Sequence, residues 1–364
     1  MQFITRLLVA GSLAIGLSMG GAAARDLPSA LAKLIGPATK EGKFNLTWGG
    51  STLGGSRGAK RFESGFNAYY GTHIDFAYTP GLSFPALQGK LVEQYKAGQP
   101  AMMDIALAGI GQTGPFIKSG ILSPLDWAAM APEVPANILD KMVSPDRTLA
   151  TFVSRATTIV YNPNIIKPED APRRLSDLLD PKWKGKIAST PYGAGFGVLA
   201  LHPDWGVVKT LDFAKKLSAN LAGLMRCGEH GRITSGEFPI FALACEPGRI
   251  TQAADKGAPM AQNIPLDALQ IDHWWVGVPK HAQHPNVARL FVAWLLTPQG
   301  QNVVYQNQGS DLNYLAGSRS AKVLDKAAAD AGRPLQDLTI QLLVDNNQWH
   351  KLQVDTAKIF REAR

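Results

Sequence analysis

Several short stretches of this 364-residue chain carry residue types that can do chemistry. Gly54-Gly55-Ser56-Arg57-Gly58 matches the G-x-S-x-G spacing that exposes a nucleophilic serine at a strand-to-helix turn. Such a nucleophile needs an acid and a histidine further along the chain. His202, His230, His273, His281, His284 and His350 are present, but none sits in a telling phrase. A secreted hydrolase with Ser56 as nucleophile is therefore an alternative, and the primary reading is of a protein that is not an enzyme. Gly109-Ile110-Gly111-Gln112-Thr113-Gly114 matches G-x-G-x-x-G. A dinucleotide site would also need an acidic residue at a strand end about 20 positions on. Asp126, within LSPLDW, does not supply it. The stretch reads instead as a tight loop before a helix opened by Pro115, and no cofactor is expected. Cys227-x-x-His230 and His281-x-x-His284 have ligand spacing without a second pair of partners, so no metal site is expected.

The remaining chemistry is that of binding. Ser51-Thr52 and Ser56-Arg57 lie between a strand and a helix, where free backbone N–H groups and the helix dipole favour anions. Thr190-Pro191-Tyr192-Gly193-Ala194-Gly195 is a similar glycine-rich turn, with Tyr192 available to stack on a solute or to hydrogen-bond it. Trp274-Trp275 sits in an extended run, so the two rings point to opposite faces. One is expected to pack in a core and the other to wall a cleft, where a cation could lie on it. Asp272 beside them could pair with an amine.

The elements that must hold these residues follow from periodicity. Phe44–Trp48, Ile74–Tyr78 and Met103–Ala108 read as strands. Between them, Phe62, Phe66 and Tyr69 or Tyr70, then Leu87, Leu91 and Tyr95, recur at helical spacing. That alternation predicts a parallel sheet covered by helices. Leu149–Tyr161 is one long extended run, and Ile271–Val278 a second. Both are expected to cross between two α/β lobes. A strand at Lys186–Ser189, a helix near Val207–Ala219 and a strand at Phe238–Cys245 fall between them. Val287, Leu290, Phe291, Trp294 and Leu295 mark an amphipathic helix stopped by Pro298-Gln299-Gly300. The tail from about residue 310 reads as mainly helical, with a break at Gly332-Arg333-Pro334. The expected division is a signal peptide at 1–24, lobe one at 25–152 and 276–364, and lobe two at 153–275.

Arg6, the apolar run Leu7–Met19 and Ala22-Ala23-Ala24 form the pattern of a cleaved export signal. Export makes Cys227 and Cys245 candidates for a disulfide, worth about 3 kcal/mol by chain entropy. The net charge of +8 is spread without basic runs, so nucleic acid is not an expected partner. Hydrophobic content of 45% and charged content of 18% exclude wholesale disorder.

One phrase adds more than composition. LSDLLDPKWKGKIAST, from Leu175, resembles the start of the second lobe in bacterial periplasmic solute-binding proteins of the iron(III)-transporter-like group. Ser154-Arg155-Ala156, Ser235-Gly236-Glu237, Lys256-Gly257-Ala258-Pro259 and the helix ending TPQGQ follow the same family order. The resemblance implies a type II periplasmic-binding-protein fold of two lobes, each with a mostly parallel sheet flanked by helices, and two hinge crossings. It also implies a monomer that hands a small solute to the membrane permease of an ABC importer. Arg155 stands where the family contacts an anion, which points to a carboxylate, phosphonate or phosphate. Ferric-iron binders of this family carry two adjacent tyrosines where this chain reads Cys245-Glu246-Pro247. A cationic amine or polyamine held by Glu246, Asp272 and the tryptophans, or a metal-ion complex, is the alternative solute.

Overall fold

The structure is a computed structural model that describes residues 27–363, except 51, 82, 245 and 346–347. The expected signal at 1–24, Ser51 and Cys245 lie outside the described residues. So does the partner that the Cys227–Cys245 pairing requires. No helix among the described residues is long and apolar enough to cross a membrane.

The strands are β1 Lys43–Trp48, β2 Asp75–Pro80, β3 Ala106–Ala108, β4 Ala150–Ala156, β5 Thr158–Tyr161, β6 Ile187–Ser189, β7 Leu221–Leu224, β8 Ile240–Ala244, β9 Ala261–Asn263, β10 Gln270–Gly277 and β11 Gln336–Asp337. In lobe one, β1 pairs with β2 in parallel. Strand β10 pairs antiparallel with β3 and β4, and parallel with β11. The backbone of Asp104, just ahead of β3, donates to Asn45 in β1 at 2.9 Å. Lobe two is one sheet in the order β7-β6-β8-β5-β9. Its β6 runs parallel to β7 and β8, whereas β5 is antiparallel to β8 and β9. The β1–β2 pair is a separate parallel sheet, whereas the four-stranded sheet around β10 and the lobe-two sheet are mixed, for a simple reason. Parallel neighbours come from strand–helix–strand units, while the strands at the crossings enter and leave a lobe in opposite senses.

Lobe one is organised by aromatic rings. The helix Gly55–Tyr70 buries Phe62, Phe66 and Tyr70, and the helix Pro285–Leu295 buries Phe291 and Trp294. Phe44 and Phe76 of β1 and β2 meet edge-on at 4.9 Å, and Phe62 meets Phe291 at 5.6 Å. Such pairs add about 0.5–1.5 kcal/mol each beyond their buried area. In lobe two, Leu175, Leu178, Trp183 and Ile187 all enter the core. The phrase that carries them forms two 3₁₀ turns, Ser176–Leu179 and Pro181–Trp183. Ser176 does not cap the first turn with its side chain. Asp267 accepts from the backbone of Leu175 and Ser176 at 2.7 and 3.1 Å, and Asp180 caps the second turn through Lys182 N.

The lobes exchange chain at Ala156-Thr157-Thr158, between β4 and β5, and again between β9 and β10. The second exchange therefore precedes the run Ile271–Val278, which lies within the lobe-one sheet. The C-terminus also departs from the expected grouping with lobe one. The helix Gln348–Glu362 sends Leu352 and Phe360 into the lobe-two core, where Phe360 meets Phe196 at 5.2 Å.

Candidate functional site

A cleft of about 940 Å³ lies where the crossing strands meet both lobes. Arg155, Ala156, Thr157 and Asp272 form its floor. Lobe one contributes Phe84, Gln88 and the helix Ile110–Ser119; lobe two contributes the turn Pro191–Gly195 with Ala244 and Pro247.

The floor is built by strand register. Arg155 and Asp272 are partners across the β4–β10 ladder, so their side chains share a face. They form an ion pair, and the Arg155 guanidinium lies 4.9 Å from the centre of the Trp274 ring. Phe84 abuts the same ring at 5.4 Å. The residue proposed for an anion and the residue proposed for an amine are thus each other's partners. Their neighbours in sequence point away. Ser154 is 1% exposed, as is His273, and its Oγ lies 3.1 Å from His273 Nδ1. His273 Nε2 meets Asp337 Oδ1 at 2.8 Å, and Tyr314 donates to the other oxygen of Asp337. Ser154 and His273 of this Ser–His–Asp chain are sealed from solvent, and the serine hydroxyl is tied to Asn313, donating to its Oδ1 at 2.6 Å and accepting from its backbone N–H at 3.1 Å. It is a strut under the floor. Burial pushes Asp337 up, but the bonds from His273 and Tyr314 outweigh it and hold the carboxyl below its ordinary range.

The lobe-two wall is also set by local bonding. Thr190 Oγ1 accepts from Ala194 N at 2.8 Å, closing the turn, and Gly193 and Gly195 take φ of +63° and +83°. Tyr192 stands out of this turn at 40% exposure, and its hydroxyl accepts from Cys227 N at 2.8 Å. Burial raises its pKa, opposed by the Cys227 N–H and reinforced by nearby Glu246. Glu246 lies behind Ala244 and Pro247, with His230 Nε2 and Arg249 Nε each 4.0 Å from Oε2. That oxygen accepts no hydrogen bond among the described residues. Burial raises the Glu246 pKa in spite of Arg249 and Arg155, and burial beside Arg249 lowers that of His230.

On the lobe-one wall, the glycine pattern 109–114 is helix rather than loop. Gly109 caps the helix Ile110–Ser119, and its N–H donates to Gln112 Oε1 at 3.2 Å. Pro115 does not open this helix but lies inside it. Having no N–H, it leaves the Gly111 carbonyl without its helical donor on the face that lines the cleft.

Of the expected site residues, Arg155, Asp272, Tyr192, Gly193, Glu246, Trp274 and Gly109 converge on or directly behind this cleft. Trp275 turns into the core under lobe one at 1% exposure, and a register shift separates it from Trp274. Thr52 and Ser56 lie outside the lining. Leu53 N, between them, donates to Gln308 Oε1 at 3.2 Å, and a side chain at Gly54 would touch Asn307 at 3.3 Å. The turn is thereby pinned to the helix Pro298–Gln308. Ser56 is an exposed first-turn residue of the helix Gly55–Tyr70, not a nucleophile on a strained elbow. His281 and His284 also part company: His281 lies on Tyr95 and His284 Nδ1 on buried Asp104, at 2.8 Å.

Sequence reasoning missed Gln88, Lys118 and the C-terminal Gln353 and Arg361, all of which line the cleft. Lys118 was within reach, because it shares a helical face with Gly111 and Gly114. No group of three or more His, Cys, Asp or Glu side chains among the described residues converges as a metal cage.

Comparison with known proteins agrees with this architecture. Residues 102–333 match the family described as bacterial extracellular solute-binding protein. The iron uptake protein A1 of Synechocystis is 26% identical over 291 residues, covering 73% of this chain and 77% of that protein. The Fe(3+)-binding periplasmic protein of Serratia marcescens is 24% identical, over 62% of this chain and 69% of that one. Iron-bound HitA from Pseudomonas aeruginosa superposes with a TM-score of 0.65 at 18% identity, over 86% and 99% of the two chains. The substrate-binding protein of an Agrobacterium tumefaciens ABC transporter gives 0.70 at 16%, over 88% and 94%. With two α/β lobes, a cleft floored by their crossing strands and this match over most of its length, the chain belongs to the bacterial extracellular solute-binding proteins and has the type II, two-lobe binding-protein fold.

Proposed function

We propose that this chain works in the periplasm as the monomeric substrate-binding component of an ABC importer, and that its solute is a metal ion complexed with a small oxygen-rich anion. The observation that carries the reading is the make-up of the cleft. The Tyr192 hydroxyl lies on the lobe-two wall, with the Glu246 carboxylate directly behind it. Cationic Lys118 and Arg361 also line the cleft, and the charge of Arg155 is already balanced by Asp272. Two protein oxygens are too few for a hard trivalent ion, which favours oxygen ligands, so an anion would complete its shell. Relatives named for iron support the metal, and one solved neighbour holds iron and citrate. Binding would shift the lobes only by its preference for the closed arrangement. Export through a cleaved signal and a Cys227–Cys245 disulfide belong to the same proposal.

A second reading, a metal-free carboxylate, phosphonate or phosphate, draws on the same cations. Titration calorimetry with ferric citrate, citrate, a phosphonate and spermidine separates them. The first reading expects heat with ferric citrate and a visible phenolate-to-iron absorption band that Tyr192→Phe removes. Equal affinity for citrate with and without iron would overturn it in favour of the free anion. Binding of spermidine alone would overturn both.

A further inference from the structure

The C-terminal helices Ile340–Asp345 and Gln348–Glu362 lie beyond the family match, which ends at residue 333. They are anchored in different lobes. Ile340 and Leu343, at 2% and 3% exposure, join the lobe-one cluster of Leu87, Ile110, Phe116 and Trp275. The longer helix buries Leu352 and Phe360 in lobe two, at 2% and 0%. Its backbone approaches the turn Pro191–Gly195 so closely that a Cβ on Gly193 would stand 2.7 Å from Gln353 O. Val198 and Leu201 of lobe two reach across to the same lobe-one cluster, alongside Val344. A polar tie runs beside them: Arg333 meets Asp204 at 2.8 Å and His202 Nε2 at 3.2 Å. Leu343, Val344, Gln353, Val354, Ala357 and Arg361 all line the solute cleft.

We propose that this helical pair is a third connection between the lobes and a latch across the cleft, setting how far it opens and how fast a solute leaves. Two residues of chain join the helices, a reach of about 10 Å when fully extended. While both helices stay seated, the lobes cannot part there by more than about that distance. Wider opening requires the shorter helix to leave lobe one, because it holds fewer buried side chains than the longer one. A latch that favours the closed state raises apparent affinity by raising the fraction of molecules competent to hold solute.

The proposal rests on the cleft being the solute site, but its first test needs no solute. Full-length protein and the variant Leu343→Ser/Val344→Ser are compared by solution X-ray scattering, with hydrogen exchange of the lobe-two strands as the check on folding. The latch predicts a larger radius of gyration for the variant, with lobe-two protection retained. In stopped-flow release of ferric citrate, it predicts a dissociation rate about tenfold higher. A chain ending at Thr339 is the second variant and should open further still. Identical scattering from all three proteins would overturn the proposal. If ferric citrate does not bind while the variants do open, the solute reading fails and the latch stands.

Discussion

Arg155 and Asp272 sit 117 residues apart in sequence and face each other across one strand ladder, with side-chain exposures of 18% and 7%. Replacing Arg155 with Met leaves a carboxylate at the cleft floor without its counter-ion. Removing one partner of a buried pair costs about 3–5 kcal/mol, and the residual exposure of Arg155 favours the lower end, about 3 kcal/mol. Asp272→Asn should cost less, about 1 kcal/mol, because Arg155 keeps the Trp274 ring and the attraction of Glu246. The double replacement removes both charges, so its cost should fall below the sum of the singles by about 2 kcal/mol. Urea unfolding of the four proteins at pH 7 measures this coupling. A value under about 0.5 kcal/mol would refute the claim that the pair is engaged in the free protein. Binding supplies the second half of the test. Asp272→Asn releases the charge of Arg155, so citrate, bare or ferric, should bind more tightly, while Arg155→Met weakens it. Weaker citrate binding by Asp272→Asn would show that the carboxylate itself contacts the solute.

Glu246→Gln removes a buried carboxylate whose pKa is raised, so the folded protein holds that proton at pH values where the unfolded chain has lost it. Stability therefore falls as pH rises from the ordinary carboxylate range through the folded pKa, and Glu246→Gln should melt higher than the parent at pH 8 but not at pH 4. Equal melting shifts at both pH values would count against it. Gly193→Ala forces a Cβ into left-handed backbone and against Gln353 O, and should lower stability by about 1–3 kcal/mol while exposing the C-terminal helix to proteolysis. A neutral result would mean the helix is not seated as described. Thiol titration of the denatured, unreduced protein should find no free thiol if Cys227 and Cys245 are paired, and two if they are not.

Much of the fold was legible in the residues because periodicity states which face of an element is buried. The apolar side chains at Phe62, Phe66, Val287, Phe291 and Trp294 fixed two helices, and the alternation at Phe44–Trp48 fixed a strand. Two long extended runs separated by a strand–helix–strand block were enough to argue for two lobes and a cleft. Where local rules competed, reading by motif failed. A glycine pattern that suits a loop became a helix, because its side-chain-bearing positions Ile110, Thr113 and Phe116 are buried. Ser56 lost its elbow because Asn307 and Gln308, about 250 residues later, pin the turn before it.

The sequence by itself determined the main strand–helix order, the family and the class of work, since each depends on patterns a few residues long or on phrases in a fixed order. Only the tertiary structure decided that Arg155 answers Asp272, that Ser154, His273 and Asp337 form a strut beneath the cleft floor, and that the last helix belongs to lobe two. Those facts depend on which strands pair in what register and on which apolar stripe finds which groove. Periodicity says that a face must be buried; it does not say against what, because that choice is made by long-range closure of the chain.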